Sequence, residues 1–125
     1  ILIVDDSEAE ASTLEIALAR IPDLAFARAS NGYEALALLR ASGAPAFEAL
    51  VTDLNMPRMD GFELIEEVRA HPATARLPIL VLTGDTKPDT PERLARLRVD
   101  CYLTKPYSPA TVRSRLEQLL HANPT

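Results

Sequence analysis

The segment Ala49-Leu50-Val51-Thr52-Asp53 is a short apolar run that ends on a carboxylate. Three other strand-like segments have the same form, an apolar run followed by a polar residue: residues 1–4 precede Asp5 and Asp6, residues 79–82 precede Thr83, and residues 101–104 precede Lys105. In open parallel sheets, ligands bind in the crevice outside the carboxyl ends of the strands. These polar side chains are therefore expected to converge on one binding site.

Apolar runs and helical patterns alternate along the chain without a long linker or an internal repeat, which predicts one α/β domain over residues 1–125. Strands are expected at residues 1–5, 24–29, 47–53, 78–83 and 101–104, and helices at about residues 7–20, 32–43, 61–71, 87–97 and 109–120. Ser7 and Glu10 have the spacing of a capping box for the first helix. Right-handed crossovers would give a five-stranded parallel sheet with helices on both faces. In a flavodoxin-like strand order, 2-1-3-4-5, the order reverses between strands 1 and 3, which carry Asp5, Asp6 and Asp53.

The composition limits the classes of partner. The net charge is −5 and the basic residues are scattered, which argues against direct nucleic-acid binding. The apolar runs are strand-sized, so no membrane insertion is expected. Cys101 is the single cysteine and is expected to be a small buried apolar residue, which fits a reducing, cytoplasmic location. The chain begins inside a strand and without an initiator methionine, which suggests a segment of a longer polypeptide.

The predicted site combines residues suited to phosphoryl chemistry. Three carboxylates in one place repel one another unless a cation is present, and Mg²⁺ suits carboxylate and phosphate oxygens. Asp53 is a candidate nucleophile because a carboxylate can accept a phosphoryl group as an acyl phosphate. Lys105 and Thr83 supply an ammonium and a hydroxyl for the phosphoryl oxygens. Each residue alone has a structural alternative: Asp6 could cap the first helix, Asp53 could be satisfied by backbone donors, Thr83 could be an ordinary strand residue, and Lys105 could face solvent.

These residues resemble the receiver domains of two-component response regulators over essentially the whole chain. The motifs that carry the resemblance are Ile1-Leu2-Ile3-Val4-Asp5-Asp6-Ser7, Val51-Thr52-Asp53-Leu54-Asn55-Met56-Pro57-Arg58-Met59-Asp60-Gly61, Leu82-Thr83-Gly84, and Tyr102-Leu103-Thr104-Lys105-Pro106. The resemblance implies a flavodoxin-like (CheY-like) three-layer αβα sandwich. It also implies that Asp53 accepts a phosphoryl group from a histidine kinase or a histidine phosphotransfer domain. The chain would then be a phosphoacceptor that assists its own phosphorylation and dephosphorylation, and not an enzyme in its own right.

The same resemblance assigns the other site residues. Asp6 and Asp53 would bind Mg²⁺ directly, Asp5 through a water molecule, and Asn55 through its backbone carbonyl. Thr83 and Lys105 would bind the phosphoryl oxygens, and a cis peptide at Lys105-Pro106 would direct the lysine inward.

A conformational switch is also implied. Thr83 would move toward the phosphoryl group while Tyr102 changes rotamer, which would alter the surface made by helix 4, strand 5 and helix 5. That surface could also form a homodimer. Asn55 and Asp85 each lie two residues beyond a site residue and are expected to tune dephosphorylation.

The chain departs from the receiver pattern around helix 4. Arg98-Val99 replaces the usual Gly-Ala pair, so the helix lacks its usual glycine cap, and Pro88 and Pro91 disturb the start of the helix. Arg93, Arg96 and Arg98 would give the helix a basic outer edge.

Three other functions fit the predicted topology less well. A phosphatase with an aspartyl-phosphate intermediate commonly has a second aspartate two residues after the nucleophile, where this chain has Asn55. A flavodoxin-like electron carrier would need glycines and hydroxyls where residues 5–10 are acidic. A degenerate docking domain would not keep every phosphorylation residue. Residues 82–86 also resemble receivers fused to hybrid histidine kinases.

Overall fold

Strands and helices alternate along the chain in the computed structural model, which describes residues 1–41, 47–56, 58–84 and 87–122. The strands are β1 Leu2–Val4, β2 Ala27–Ala29, β3 Leu50–Thr52, β4 Ile79–Thr83 and β5 Cys101–Thr104. The helices are α1 Glu8–Leu18, α2 Gly32–Leu39, α3 Gly61–Ala70, α4 Thr90–Arg96 and α5 Pro109–Ala122.

The five strands form one parallel sheet in the order β2-β1-β3-β4-β5, as predicted. Leu2 lies opposite both Ala27 and Leu50, and Thr52 lies opposite Val81. Because neighbouring strands run in the same direction, their carboxyl ends meet at one edge of the sheet. The strand order reverses at β1 and β3, so a crevice is expected to open there.

Alternate residues of the central strands point to opposite faces, and each face is covered by helices. Leu50, Ile79 and Val81 pack in a cluster with residues of α2, α3 and α4, including Leu36, Leu64, Ile65, Val68 and Leu94. Val51, Leu80 and Leu82 pack with α1 and α5, through Leu14, Leu18, Val112 and Leu116. Strands buried on both faces are expected to be continuous apolar runs, which is why β3 and β4 could be predicted from the sequence. The three-layer αβα fold is confirmed.

Several element boundaries differ from the predictions. The helix α1 ends at Leu18 and not at residue 20, while β2 and β3 are shorter than expected, with three residues each. Helix α4 begins at Thr90, after Pro88, and Pro91 lies in its first turn, where the missing N–H is not needed. The predicted end of α2 near residue 43 lies outside the described residues.

Helix α4 ends in the geometry that glycine usually provides, although the chain has arginine there. Arg98 has φ of 58°, its N–H donates to the Ala95 carbonyl (3.0 Å), and the Val99 N–H donates to the Leu94 carbonyl (3.1 Å). These two bonds form a Schellman motif, so the missing glycine does not prevent this helix end. A left-handed backbone at a residue with a Cβ costs about 1–2 kcal/mol.

The guanidinium of Arg69, on α3, stabilises the same helix end. Its Nε donates to the Leu97 carbonyl at 3.0 Å and its Nη2 to the Arg98 carbonyl at 2.7 Å. Its Nη1 donates to the carbonyls of Ala75 and Leu77. One buried side chain therefore joins the end of α3, the loop before β4 and the end of α4.

Cys101 is half-buried against the cluster shared by α1 and α5, not fully buried as expected, because it lies on the edge strand β5.

Among the described residues, none of the helices has the length and apolar character that crossing a membrane would require.

Candidate functional site

Three aspartates meet at the carboxyl ends of β1 and β3, where the strand order reverses. Asp5 and Asp53 each follow a central strand directly, and backbone hydrogen bonds continue the sheet to both residues: the Asp5 N–H donates to the Ala29 carbonyl and the Asp53 N–H to the Val4 carbonyl. One carboxylate oxygen from each of Asp5, Asp6 and Asp53 lies within 4.8 Å of the other two. Asp5 and Asp53 are buried, whereas Asp6 is exposed. The crevice is therefore strongly acidic and open on one side.

The two carboxylate oxygens of Asp53 have different surroundings. Oδ1 accepts hydrogen bonds from the backbone N–H groups of Leu54 (2.6 Å) and Asn55 (3.2 Å). Oδ2 accepts a hydrogen bond from Lys105 Nζ at 3.0 Å. The backbone fixes one oxygen, and the other faces a cation.

Glycine is required at the start of α3 because the helix begins very close to the Asp53 loop. A Cβ at Gly61 would lie 2.6 Å from Leu54 Cα and even closer to the Asp53 carbonyl oxygen. The Gly61 N–H donates to the Leu54 carbonyl at 2.9 Å. Asp60 then caps α3 with a complete capping box to Glu63. These contacts fix the loop that carries Asp53 and Asn55.

Lys105 reaches the aspartates from the end of β5. Its peptide bond to Pro106 is cis, as predicted, and its backbone N–H donates to the Thr83 carbonyl at 2.7 Å. Its Nζ lies 3.0 Å from Asp53 Oδ2 and 2.9 Å from Glu10 Oε2. Burial acts to lower the pKa of Lys105, but the bonds to Glu10 and Asp53 outweigh it and hold the pKa above its ordinary value. The side chain is therefore a permanent cation.

Asp5 is the carboxyl whose proton affinity the site changes most clearly. Burial raises its pKa from the ordinary 3.8 to about 6. The Ser7 N–H, which donates to Asp5 Oδ1 at 2.8 Å, opposes this increase, while the nearby carboxylates of Glu10 and Asp53 add to it. The site therefore favours a bound proton, or another cation, at Asp5.

Glu10 belongs to this site, although its position in the sequence predicted a capping role. Ser7 Oγ does accept a hydrogen bond from the Glu10 N–H (3.3 Å), but the Ser7 N–H donates to Asp5. The Glu10 carboxylate bonds to Lys105 instead, and that hydrogen bond is the main reason for its lowered pKa. The predicted capping box is thus only half formed. Its position in α1, one turn from the acidic pair, was the signal in the sequence that could have identified Glu10.

The chain matches the family model of the response regulator receiver domain over residues 1–117. It belongs to the receiver domain family. The chemotaxis protein CheY of Pseudomonas aeruginosa is 33% identical over 119 residues, covering 95% of this chain and 94% of that protein.

Solved receiver structures have the same fold. The phosphorylated cyanobacterial phytochrome response regulator RcpA has a TM-score of 0.87 and 27% identity, covering 98% of this chain and 94% of that one. The Mn²⁺-bound form of the response regulator Rcp1 has a TM-score of 0.82 and 27% identity, covering 99% of this chain and 95% of that one.

Family membership establishes the general function of the chain. Receiver domains are phosphoacceptors in two-component signalling, and they interact with histidine kinases or phosphotransfer proteins. In this receiver, the three aspartates form a group that could hold a metal ion.

The remaining predicted residues that the structure describes lie on β4, on β5 and in the loop after β3. Thr83 is fully buried at the end of β4 and contacts Lys105 through its backbone. Asn55 is exposed beside Asp53, and Tyr102 lies on β5 with 37% of its surface exposed. Asp85 falls outside the described residues.

Proposed function

We propose that Asp53 is the phosphoacceptor of this receiver domain and that Lys105 and Thr83 bind the transferred phosphoryl group. The observation that carries the proposal is the asymmetric environment of the Asp53 carboxylate. Two backbone donors hold Oδ1, while Oδ2 faces an ammonium 3.0 Å away. A nucleophilic oxygen with a fixed position and an adjacent cation is suited to phosphoryl transfer, where catalysis depends on positioning and on neutralising charge.

We also propose that Asp5, Asp6 and Asp53 hold Mg²⁺, with the Asn55 backbone carbonyl as a further ligand. The donor set fits this ion, because all three side chains offer hard oxygen atoms that lie within 4.8 Å of one another. Asp6 would bind the ion directly and Asp5 through a water molecule. Bound Mg²⁺ would neutralise the carboxylates and orient the phosphoryl oxygens. The Mn²⁺ in the similar protein Rcp1 supports a divalent cation here.

In the proposed reaction, Asp53 Oδ2 attacks the phosphorus of a phosphohistidine on the donor protein. An O–P bond forms while the P–N bond breaks, and the imidazole nitrogen keeps the electron pair of the broken bond. Lys105 then faces an acyl phosphate in place of a carboxylate, and the hydroxyl of Thr83 would bind another phosphoryl oxygen. Hydrolysis by water would reverse the modification, and Asn55 and Asp85 would tune its rate. The domain would thus assist its own phosphorylation and dephosphorylation without acting as an enzyme on other substrates.

We propose that the phosphorylated site acts on the surface of α4, β5 and α5. Thr83 ends β4 and Lys105 directly follows β5, and the Lys105 N–H donates to the Thr83 carbonyl, so a shift of Thr83 would reach β5. Tyr102 is partly exposed on β5 and would turn inward. The same surface could form a homodimer. We expect no direct contact with nucleic acid and a cytoplasmic location, supported by the net charge of −5 and by the single cysteine, which is free.

Incubation with Mg²⁺ and acetyl phosphate, followed by intact mass measurement, tests the proposal. We expect one added phosphoryl group that hydroxylamine removes, and no addition in Asp53→Asn. Asp89→Asn is a matched control because Asp89 is exposed and its side chain makes no cap hydrogen bond. Modification of Asp53→Asn, or an unmodified wild-type chain, would contradict the assignment.

A further inference from the structure

Lys105 lies between two carboxylates, and only one of them belongs to the proposed phosphoacceptor. Nζ is 3.0 Å from Asp53 Oδ2 and 2.9 Å from Glu10 Oε2. The Glu10 side chain is 43% exposed and the Lys105 side chain 27% exposed, so this pair lies at the mouth of the crevice. An incoming phosphoryl donor would approach through this region.

The contact with Lys105 is what places the Glu10 carboxylate at the site. In a capping box, that carboxylate would accept the backbone N–H of Ser7. Here the Ser7 N–H donates to Asp5 Oδ1 at 2.8 Å, and Glu10 is directed toward β5 instead. Glu10 therefore adds a fourth carboxylate beside the cluster of Asp5, Asp6 and Asp53, and it shares the Lys105 ammonium with Asp53.

We propose that Glu10 is a positioning residue that competes with the phosphoryl group for Lys105 and strengthens the attraction of the site for a divalent cation. This inference rests on the proposed function. The Glu10 carboxylate neutralises part of the charge of the Lys105 ammonium and repels an anionic donor, so it disfavours phosphorylation. The same charge attracts Mg²⁺. Glu10 thus acts with opposite sign on the two ligands of the site.

This difference in sign separates the proposed role from a structural one. Replacing a residue that only maintains the fold would weaken the binding of both ligands or of neither. Replacing a residue that acts through its charge should weaken the binding of one ligand and strengthen the binding of the other. Glu10→Gln keeps the length and the helix N–H of the residue while it removes the charge.

The test compares wild type, Glu10→Gln and the control Glu8→Gln at about pH 8, where carboxylates are ionised. Glu8 is exposed in the same helical turn, so its replacement removes the same charge from a surface position. We expect Glu10→Gln to weaken Mg²⁺ binding about three- to tenfold, measured by NMR titration of backbone amides. At saturating Mg²⁺, we expect it to bind beryllium trifluoride, a phosphoryl mimic, about two- to fivefold more tightly. Glu8→Gln should match the wild type in both titrations.

The outcomes distinguish this inference from the proposed function. If wild type binds beryllium trifluoride and Glu10→Gln binds both ligands as wild type does, Glu10 has no such role. The same conclusion follows if the variant binds the mimic more weakly. If the wild type fails to bind the mimic at all, the proposed function itself is wrong, whatever the two variants show with Mg²⁺.

Discussion

Asp5 is expected to destabilise the fold when no cation is bound. Burial is the main cause that raises its pKa from 3.8 to about 6. Because this folded-state pKa lies above the unfolded value, protonation favours folding. The stabilising contribution of the protonated group is complete below about pH 3.8 and is lost as the pH rises through about 6. Above that pH, an ionised Asp5 lowers the free energy of unfolding.

Asp5→Asn removes this charge and keeps an oxygen that can accept the Ser7 N–H, which lies 2.8 Å from Asp5 Oδ1. The two pKa values set an upper limit of about 3 kcal/mol, at about 1.4 kcal/mol per pKa unit. Water beside the exposed Asp6 screens part of this charge, so we expect the variant to be about 1–2 kcal/mol more stable at about pH 8. This advantage should shrink progressively between about pH 6 and about pH 4, as Asp5 of the wild type becomes protonated.

Urea denaturation followed by circular dichroism, without divalent cations, measures the difference at each pH. Asp89→Asn, at an exposed position, controls for the loss of one carboxylate. Added Mg²⁺ should stabilise the wild type and have a much smaller effect on Asp5→Asn, because a ligand that binds only the folded state raises its stability. An advantage that does not change with pH, or a variant less stable than wild type at about pH 8, would refute the reasoning.

Three other replacements have expected outcomes. In urea denaturation, Arg98→Gly should have a free energy of unfolding about 1 kcal/mol higher than Arg98→Ala. Both variants lose the arginine, but only glycine avoids the steric cost of the left-handed backbone; equal stabilities would contradict this. Gly61→Ala should lower stability by about 2–4 kcal/mol and abolish acetyl phosphate labelling, because the added Cβ would collide with the Asp53 loop. Labelling at the wild-type level would show that the loop can move aside. Arg69→Met should lower stability by about 2–4 kcal/mol, because it leaves four backbone carbonyls without this donor. Arg76→Met or Arg96→Met, at exposed positions, is the control. A loss below about 1 kcal/mol would show that water replaces the guanidinium.

The sheet and the aspartate cluster could be predicted because one physical pattern determines both. Strands such as β3 and β4 are buried on both faces, so they appear as apolar runs, and the run ends where the chain leaves the core. The polar residue at that point, such as Asp53, must then lie at the edge of the sheet. Topology brings Asp5 and Asp53 together without any information about side-chain contacts.

Glu10 and Arg98 could not be predicted in the same way, because their roles depend on tertiary contacts. The spacing from Ser7 to Glu10 satisfies a local capping rule, and only the position of Lys105, far away in the chain, gives the carboxylate a different partner. Arg98 occupies a glycine position because the Leu94 and Val99 side chains pack against the core and the Arg69 guanidinium holds the adjacent carbonyls. Local propensity is outweighed in both cases by interactions that form only after folding.

The charges of the site also explain why phosphorylation of this receiver would depend on a bound cation. The carboxylates of Asp5, Asp6 and Asp53 lie together, and Lys105 pairs with Asp53 and with a fourth carboxylate, that of Glu10. These carboxylates therefore repel an anionic donor that approaches Asp53. Lys105 offsets only part of this repulsion, because its charge is shared with Glu10. The arrangement that disfavours the metal-free fold at Asp5 is the same one that attracts a divalent cation. It follows that the wild-type chain without a divalent cation should combine reduced stability with slow labelling, and that a cation should correct both.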